Sequence, residues 1–430
     1  MSWASDIYTI DKRGAELCRD MSIAGFAFDA QEAKIASAQM LEVEGRAFAE
    51  AELAVGRTIR KGNGGGFSTI DLGQAFYKDL RAPVLLRSEK TGAPSLGVDA
   101  LRSFAACARP ELRALSVAVL EWRRARKIRS TYIDAIKLGS DLRVHPTWLN
   151  YGTVSGRFSC QQPNIMNLPR PENDPTRSEL RPGGIRGLFH AKRDHVLVAG
   201  DAKQLEMRIA AYASGDKMMI AACESSDLHA ANAAVIFGDL FNSASPPLRK
   251  ALRTLAKSAG FAVCYLAEAE TVWARIVATP EGAKTKLREV KSMLEKLRNG
   301  FADYFRWQNA GLLDAMRNGY VSSPVFGRRR WLGHDPSPTE AANFPIQSGA
   351  ADLMNDRAPK IVFALRAARL PAKLVAQVHD SCVFECERSA APELCALFER
   401  EFTKPIDICT SGTRLTASFP LDLEISDRWH

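Results

Sequence analysis

No run of 18 or more apolar residues occurs in this 430-residue chain, and its first residues, MSWASDIYTIDKRG, carry acids and no apolar stretch. The first absence argues against a membrane-spanning helix of ordinary length, and from the second no secretory signal is expected. Cysteine pairs at metal-ligand spacing are lacking too. The nine cysteines are odd in number and scattered from Cys18 to Cys409, which argues against a zinc module or a disulfide frame and for a reducing, cytoplasmic compartment. Cys382 and Cys386 stand four apart in a strand-like run, facing one side, and read as core thiols. The glycine-rich stretch RKGNGGGFST at 60–69 lacks the Gly-Lys-Ser/Thr ending of a P-loop and reads as a turn. There is no internal repeat.

What is present is a globular composition, 46% hydrophobic and 25% charged, in a chain long enough for two or three domains. Lysine and arginine (58) outnumber aspartate and glutamate (49), giving a net charge of +9. The cations cluster in WRRARKIRS (122–130), LRKALRTLAK (248–257) and GRRR (327–330). Such stripes together suit a polyanion, although any single one taken alone reads better as a solvated helix face.

Periodicity predicts a helix from Asp29 to about Ala54 and further helices over 68–137. After Pro146 the pattern turns to short strands and a Pro-rich stretch over 163–182. HVLVAG (195–200) reads as a buried strand, followed by a helix from about Gln204 to Ser214 that Gly215 can cap. Residues 216–318 are helix-rich. A helix near 349–369, a hairpin, a helix near 389–402 and a final strand FPLDLEIS complete the chain. Two strand-rich blocks enclosing a helical insertion predict a sheet-based platform assembled from distant segments.

Two aspartates stand out on that platform. In QVHDSCVFE (377–385), His379 and Asp380 separate two β-prone runs, so a carboxylate sits where a strand pair reverses. In HVLVAGDAKQLEMRIAAYASGD a strand runs straight into Asp201. Aspartate is common at turns and helix caps; two such residues at strand ends, bounding a basic insertion, suit a divalent-metal pair. In the insertion, Arg253, Lys257, Phe261 and Tyr265 recur at every fourth position on a helix begun by Ser245-Pro246-Pro247. Successive members drift by about 40° around the axis. This face could grip a triphosphate and stack on a base, or the aromatics could be core residues of an amphipathic helix.

In their order along the chain these segments resemble the family A (polymerase I-like) DNA polymerases. DAKQLEMRIAAYASGD is similar to motif A, Arg253-x3-Lys257-x3-Phe261-x3-Tyr265 to motif B and QVHDSCVFE to motif C. GTVSGRFSCQQPNIMNLPR, GRRRWLG, AANFPIQSGAADLM, TGAPSLGVDALRSFA, EWRRARKIRSTYIDAI and SDLHAANAAVIF are similar to segments around them. The resemblance implies an α+β, right-hand polymerase fold with an antiparallel palm sheet, helical fingers and a helical thumb. Residues 1–30 would lead into a thumb over 31–137, palm over 138–215, fingers over 216–325 and the rest of the palm over 326–430. The implied activity is template-directed extension of a primer by dNTPs. Asp201, Asp380 and the main-chain carbonyl of Ala202 would hold two Mg²⁺, with Mn²⁺ as a substitute. Arg253 and Lys257 would bind phosphates, Lys257 also donating a proton to pyrophosphate. Phe261, Tyr265 and Gln204 would line the nucleotide site, and Glu206 would close the space of a ribose 2′-hydroxyl, with pairing to Arg208 as the plain alternative. Arg157, Asn164, Asn167, Asn343, Gln347, Gln377 and His379 would hold primer–template DNA in the minor groove, and Arg124, Lys127 and Arg129 its phosphates. For Asn164, beside Pro163, a turn-capping role is the plain alternative.

Departures from the family pattern are Ser381 where an acid is usual, Ala202-Lys203 for Tyr-Ser, Leu266 for glycine and Thr339-Glu340 for a template-facing arginine. They bear on rate and fidelity. No proofreading or 5′-nuclease region is read in the 430 residues, so editing is expected from a separate exonuclease, with helicase or processivity factor as further partners. A monomer in a bacterial or phage-infected cytoplasm is expected. The runner-up readings are a single-subunit RNA polymerase, against which Glu206 argues, and an inert DNA-binding protein that kept the fold.

Overall fold

The expected strand and hairpin form. In the computed structural model, which describes residues 3–62, 65–88, 91–169, 184–277, 282–410 and 413–430, with the side chains of 3–6, 261–264, 410 and 413 excepted, the chain divides into two units. The first is Met1–Gly25, Pro146–Gln161 and Ala191–Asp427; the second is Phe26–His145, Gln162–His190 and Arg428–His430.

The first unit is built on a four-stranded antiparallel sheet in the order Leu421–Ser426, His195–Ala202, Ser381–Glu387, Ala372–Val378. Alternation decides its faces. Val196, Val198, Gly200 and Ala202 share a face with their cross-strand neighbours Cys386, Phe384 and Cys382, all buried. The helix Ala391–Phe402 covers that face: Phe398 meets Phe384 edge-on at 5.2 Å. A Cβ at residue 200 would lie 2.5 Å from the Phe398 ring, so only glycine lets strand and helix approach this closely. The other face carries Leu197, Ala199 and Asp201.

The chain leaves the Asp201 strand directly into the helix Leu205–Ser214, which Gly215 ends at φ 68° as expected. Met207, Ala210 and Ala211 of this helix join a helical core with Leu228, Ile236, Leu252, Leu255, Ala256, Ala259, Val290 and Leu294. One helix runs longer than its sequence suggests. The expected segment near 349–369 is part of Pro338–Ala367, with Pro345 and Pro359 inside it. Proline normally ends a helix, and here burial of nearly every residue from Phe344 to Ala358 overrides that preference. The hairpin Ile406–Thr410 with Thr413–Ala417 was not expected at all.

The second unit centres on the helices Ala30–Val55 and Pro110–Lys127. Asp29 caps the first, accepting from the Glu32 N–H at 3.0 Å, and Gly56 ends it at φ 71°. Ala51, Leu72, Phe76, Leu101, Phe104, Leu112, Leu115 and Val119 form the core. A small sheet joins Arg143–Val144, Phe26–Phe28 and Phe189–His190. Among the described residues no helix is long and apolar enough to cross a membrane.

Gly200→Ala should destabilise the protein by about 1–3 kcal/mol, the usual cost of overpacking. Phe398→Leu should recover part of that loss in the double variant, a coupling that denaturant titration of the four proteins would measure.

Candidate active site

The two aspartates are brought together by strand pairing. Ser381 stands opposite Asp201, and the Ala202 N–H donates to the Asp380 C=O at 2.8 Å. The aspartates are thus neighbours on adjacent strands at one end of the sheet, each partly exposed. Asp380 follows His379 in a two-residue reversal, with His379 at φ 53°. Gln204, at φ 54°, makes the equivalent sharp exit after Asp201, and its Oε1 is buried without a hydrogen-bond partner. Non-glycine residues in this region carry strain of about 1–3 kcal/mol and concentrate where the surrounding structure imposes them.

The donors here are hard oxygens, which suit Mg²⁺ or Mn²⁺. The nearby Cys382 thiol is no competitor: burial, with the Asp201 charge adding to it, pushes its pKa up to about 12. Among the described residues no three His, Cys, Asp or Glu side chains gather as a metal cluster. Ser381, where an acid is usual, faces Asp201 across the strands, while Asp422 flanks Asp201 on the other side and pairs with Lys203 at 2.6 Å.

Glu206 sits in the first turn of the helix after Asp201 and is bonded by Arg157. Two residues read separately, one for sugar and one for DNA, therefore form one ion pair. Arg208 is not the partner of Glu206. It is buried and turned to Glu224 at 2.6 Å and to the Ser418 carbonyl at 3.4 Å.

The motif B helix spans Pro246–Cys264. Leu252, Leu255, Ala256 and Ala259 lie on its buried side, leaving Lys257 exposed and Arg253 partly so. Arg253 donates from Nε to Asp227 at 2.6 Å. Asp227 also caps the helix Leu228–Phe237, accepting from the His229 and Ala230 amides at 3.0 Å each. Burial raises its pKa, but Arg253 and those amides outweigh this and hold the carboxyl below its usual range. His229 is held below the usual imidazole range by burial first and then by the Lys257 and Arg253 charges. Asp227 and His229 were not singled out in the sequence, although an Asp just before an apolar helix is a capping signal. Tyr265 departs from expectation. The helix ends at Cys264, so Tyr265 falls in the turn beyond it and packs against the helical core, followed by Leu266 at φ 53°. The Phe261 side chain lies outside the described residues.

Asn343 and Gln347, one helical turn apart, line a cleft of about 150 Å³ with Val154, Ser155 and Arg330. Glu340 holds Arg330 at 2.6 Å there. His379 is exposed, whereas Gln377 is 4% exposed and donates from Nε2 to Asn355 at 3.1 Å. The remaining candidates belong to the second unit. Asn167 is exposed; Asn164 caps a short 3-10 turn, accepting from the Met166 amide at 3.1 Å. Arg129 is engaged by Glu44 at 2.6 Å and Asp134 at 2.8 Å, Arg124 meets Glu121 at 3.8 Å, and Lys127 is exposed.

Comparison with known proteins bears directly on this arrangement. DNA polymerase I, thermostable, of Thermus caldophilus is 28% identical over 367 residues, covering 82% of this chain and 40% of that protein. DNA polymerase I of Chloroflexus aurantiacus is 28% identical over 446 residues, covering 98% of this chain and 43% of that protein. The chain thus spans less than half the length of either relative. The POL domain of Pol1 from M. smegmatis, solved in complex with DNA primer-template and dNTP, superimposes with a TM-score of 0.80 at 24% identity. The match covers 97% of this chain and 69% of that one, and it bears out the expected α+β polymerase fold. The sequence model of DNA polymerase family A matches residues 45–430, a span holding Asp201, Arg253, Lys257 and Asp380 alike, and the chain belongs to that family.

Proposed function

We propose that this chain is a DNA-directed DNA polymerase that extends a primer 3′ end by two-metal nucleotidyl transfer. The observation that carries the reading is the adjacency of Asp201 and Asp380 at the end of one sheet. Asp201, Asp380 and the Ala202 carbonyl would hold Mg²⁺. When bound, Mg²⁺ would supply activation of the primer 3′-hydroxyl and charge neutralisation on the triphosphate.

The chain's own groups account for the rest. Arg253 and Lys257 bind the outer phosphates as a guanidinium fork and a point charge. Lys257, exposed on its helix, would give a proton to the departing pyrophosphate oxygen. His229, whose pKa is lowered by burial and by the Lys257 and Arg253 charges, can donate a hydrogen bond to the same phosphates. Glu206, fixed by Arg157, presents its stem to the sugar and excludes a 2′-hydroxyl by bulk. Phe261, and Tyr265 from the turn that follows its helix, would border the base, and Asn343, Gln347 and His379 offer donors that suit the minor groove at any sequence. Lys127, Arg124, Asn164 and Asn167 are further DNA contacts, and the binding is salt-dependent.

The inert reading is favoured by one observation, Ser381 facing Asp201. Primer extension with deoxynucleotides and ribonucleotides in parallel separates it, and the RNA polymerase reading, from the first: binding without extension supports the inert protein, and ribonucleotide preference supports the RNA polymerase.

Asp380→Asn should lower extension by at least about a thousandfold, the weight of several kcal/mol of lost charge stabilisation, while primer–template affinity in a filter or anisotropy assay stays within severalfold. Retained extension would remove Asp380 from the chemistry. Glu206→Ala should narrow the deoxynucleotide-to-ribonucleotide ratio of kcat/KM by roughly 10- to 100-fold, the scale of a relieved steric clash; an unchanged ratio would assign Glu206 to the Arg157 pair alone. Residues 1–430 should leave a mismatched 3′ end intact, and excision that persists with both aspartates replaced would reveal an editing site elsewhere.

A further inference from the structure

Tyr320–Ser322 and Arg329–Trp331 form a short antiparallel ribbon, with Tyr320 opposite Trp331 and Ser322 opposite Arg329. Side chains alternate across such a ribbon. Val321 and Arg330 turn to one side, where Val321 packs with Ala315, Ala341 and Phe344 and Arg330 pairs with Glu340 at the cleft of Asn343 and Gln347. Tyr320, Arg329 and Trp331 turn to the other. Trp331 is 71% exposed and leans edge-on to Tyr320 at 5.0 Å, while the Arg329 guanidinium lies 4.6 Å over the Tyr320 ring. The ribbon is tied at both ends. Leu332 and Gly333 amides donate to the Gly319 carbonyl at 2.8 and 3.1 Å, and the Ser323 amide to the Arg328 carbonyl at 2.8 Å.

An indole this exposed is unfavourable for a side chain that normally buries its large apolar surface, and its contact with Tyr320 leaves it 71% exposed. The exposed ring, with a cation beside it, is complementary to a flat base on a phosphate backbone. Bases inside a duplex hide their faces by stacking on each other, so a single rigid indole selects an unpaired base. Along the ribbon Trp331 follows Arg330, whose side chain lines that cleft from the opposite face, so the indole lies one residue beyond the cleft on the ribbon's other side. We propose that Trp331, with Arg329 beside it, is a stacking site for an unpaired base of single-stranded DNA extending from the cleft of Asn343 and Gln347. The inference rests on the polymerase reading, in which that strand is the template overhang.

The test uses the full chain with primer–template carrying 2-aminopurine at successive unpaired template positions, alongside a blunt duplex of the same length. Wild-type protein should change the probe's fluorescence most strongly at one overhang position. Trp331→Ala should abolish that change and weaken overhang binding about tenfold, the scale of one base stacked on an aromatic ring, while blunt-duplex affinity and thermal stability stay unchanged. Trp331→Tyr should restore most of both signals. Equal loss on overhang and blunt substrates, or no loss on either, overturns the stacking site while leaving the polymerase reading intact. Failure of the wild-type protein to bind primer–template at all overturns both. A change in sedimentation of Trp331→Ala without DNA would assign the ring to a contact between protein chains and overturn the proposal.

Discussion

The antiparallel pairing of His195–Ala202 with Ser381–Glu387 is the constraint on which the candidate chemistry depends. It brings two residues that are remote in sequence into adjacent positions, with the Ala202 amide bonded to the Asp380 carbonyl. Side chains alternate with a period of two, so a slip of one residue would send Asp201 to the face packed on the helix Ala391–Phe402. The register is protected against that slip. Val196, Val198 and Ala202 are buried with Phe384 and Cys382, and residue 200 must be glycine to clear Phe398. The same packing that stabilises the sheet therefore orients the carboxylate.

The basic character of the chain is distributed between two physical roles. Buried or nearly buried cations hold the protein together: Arg328 bridges Asp11 at 2.5 Å and Asp352 at 2.7 Å, and Arg129 answers the buried Glu44. Removing one member of a buried pair strands its partner, typically at a cost of about 3–5 kcal/mol. Such cations are poor candidates for a mobile polyanion. Lys127 and Lys257 are exposed and available to one. The sequence cluster WRRARKIRS reads as a single stripe, but its members face different surroundings.

Much of the site was legible because it is local. A β-prone run ending in Asp201, a helix following at once and Gly215 at its end are signals within one window of sequence, and so is the Asp380 reversal. The longer extent of Pro338–Ala367 was hidden because Pro345 and Pro359 are local breakers that only tertiary burial overrides. Pairings between distant residues were hidden for a different reason. Nothing near Glu206 announces Arg157, nothing near Arg253 announces Asp227, and Gln377 reads as a groove-facing amide until Asn355 is seen to hold it. Tyr265 followed the four-residue spacing of its predecessors, but the helix that would have put it on their face ends one residue too soon.

The double duty of Asp227 makes Arg253 easy to release. Their bond is partly solvated, with side chains 36% and 43% exposed, so it contributes on the order of 0–1 kcal/mol. A carboxylate abandoned in the protein interior would oppose the arginine's departure, but this one stays seated on the amides of His229 and Ala230, at the positive end of a helix dipole. The guanidinium is thus parked rather than locked, and an arriving anion can take it without leaving behind a charge that has nowhere to go.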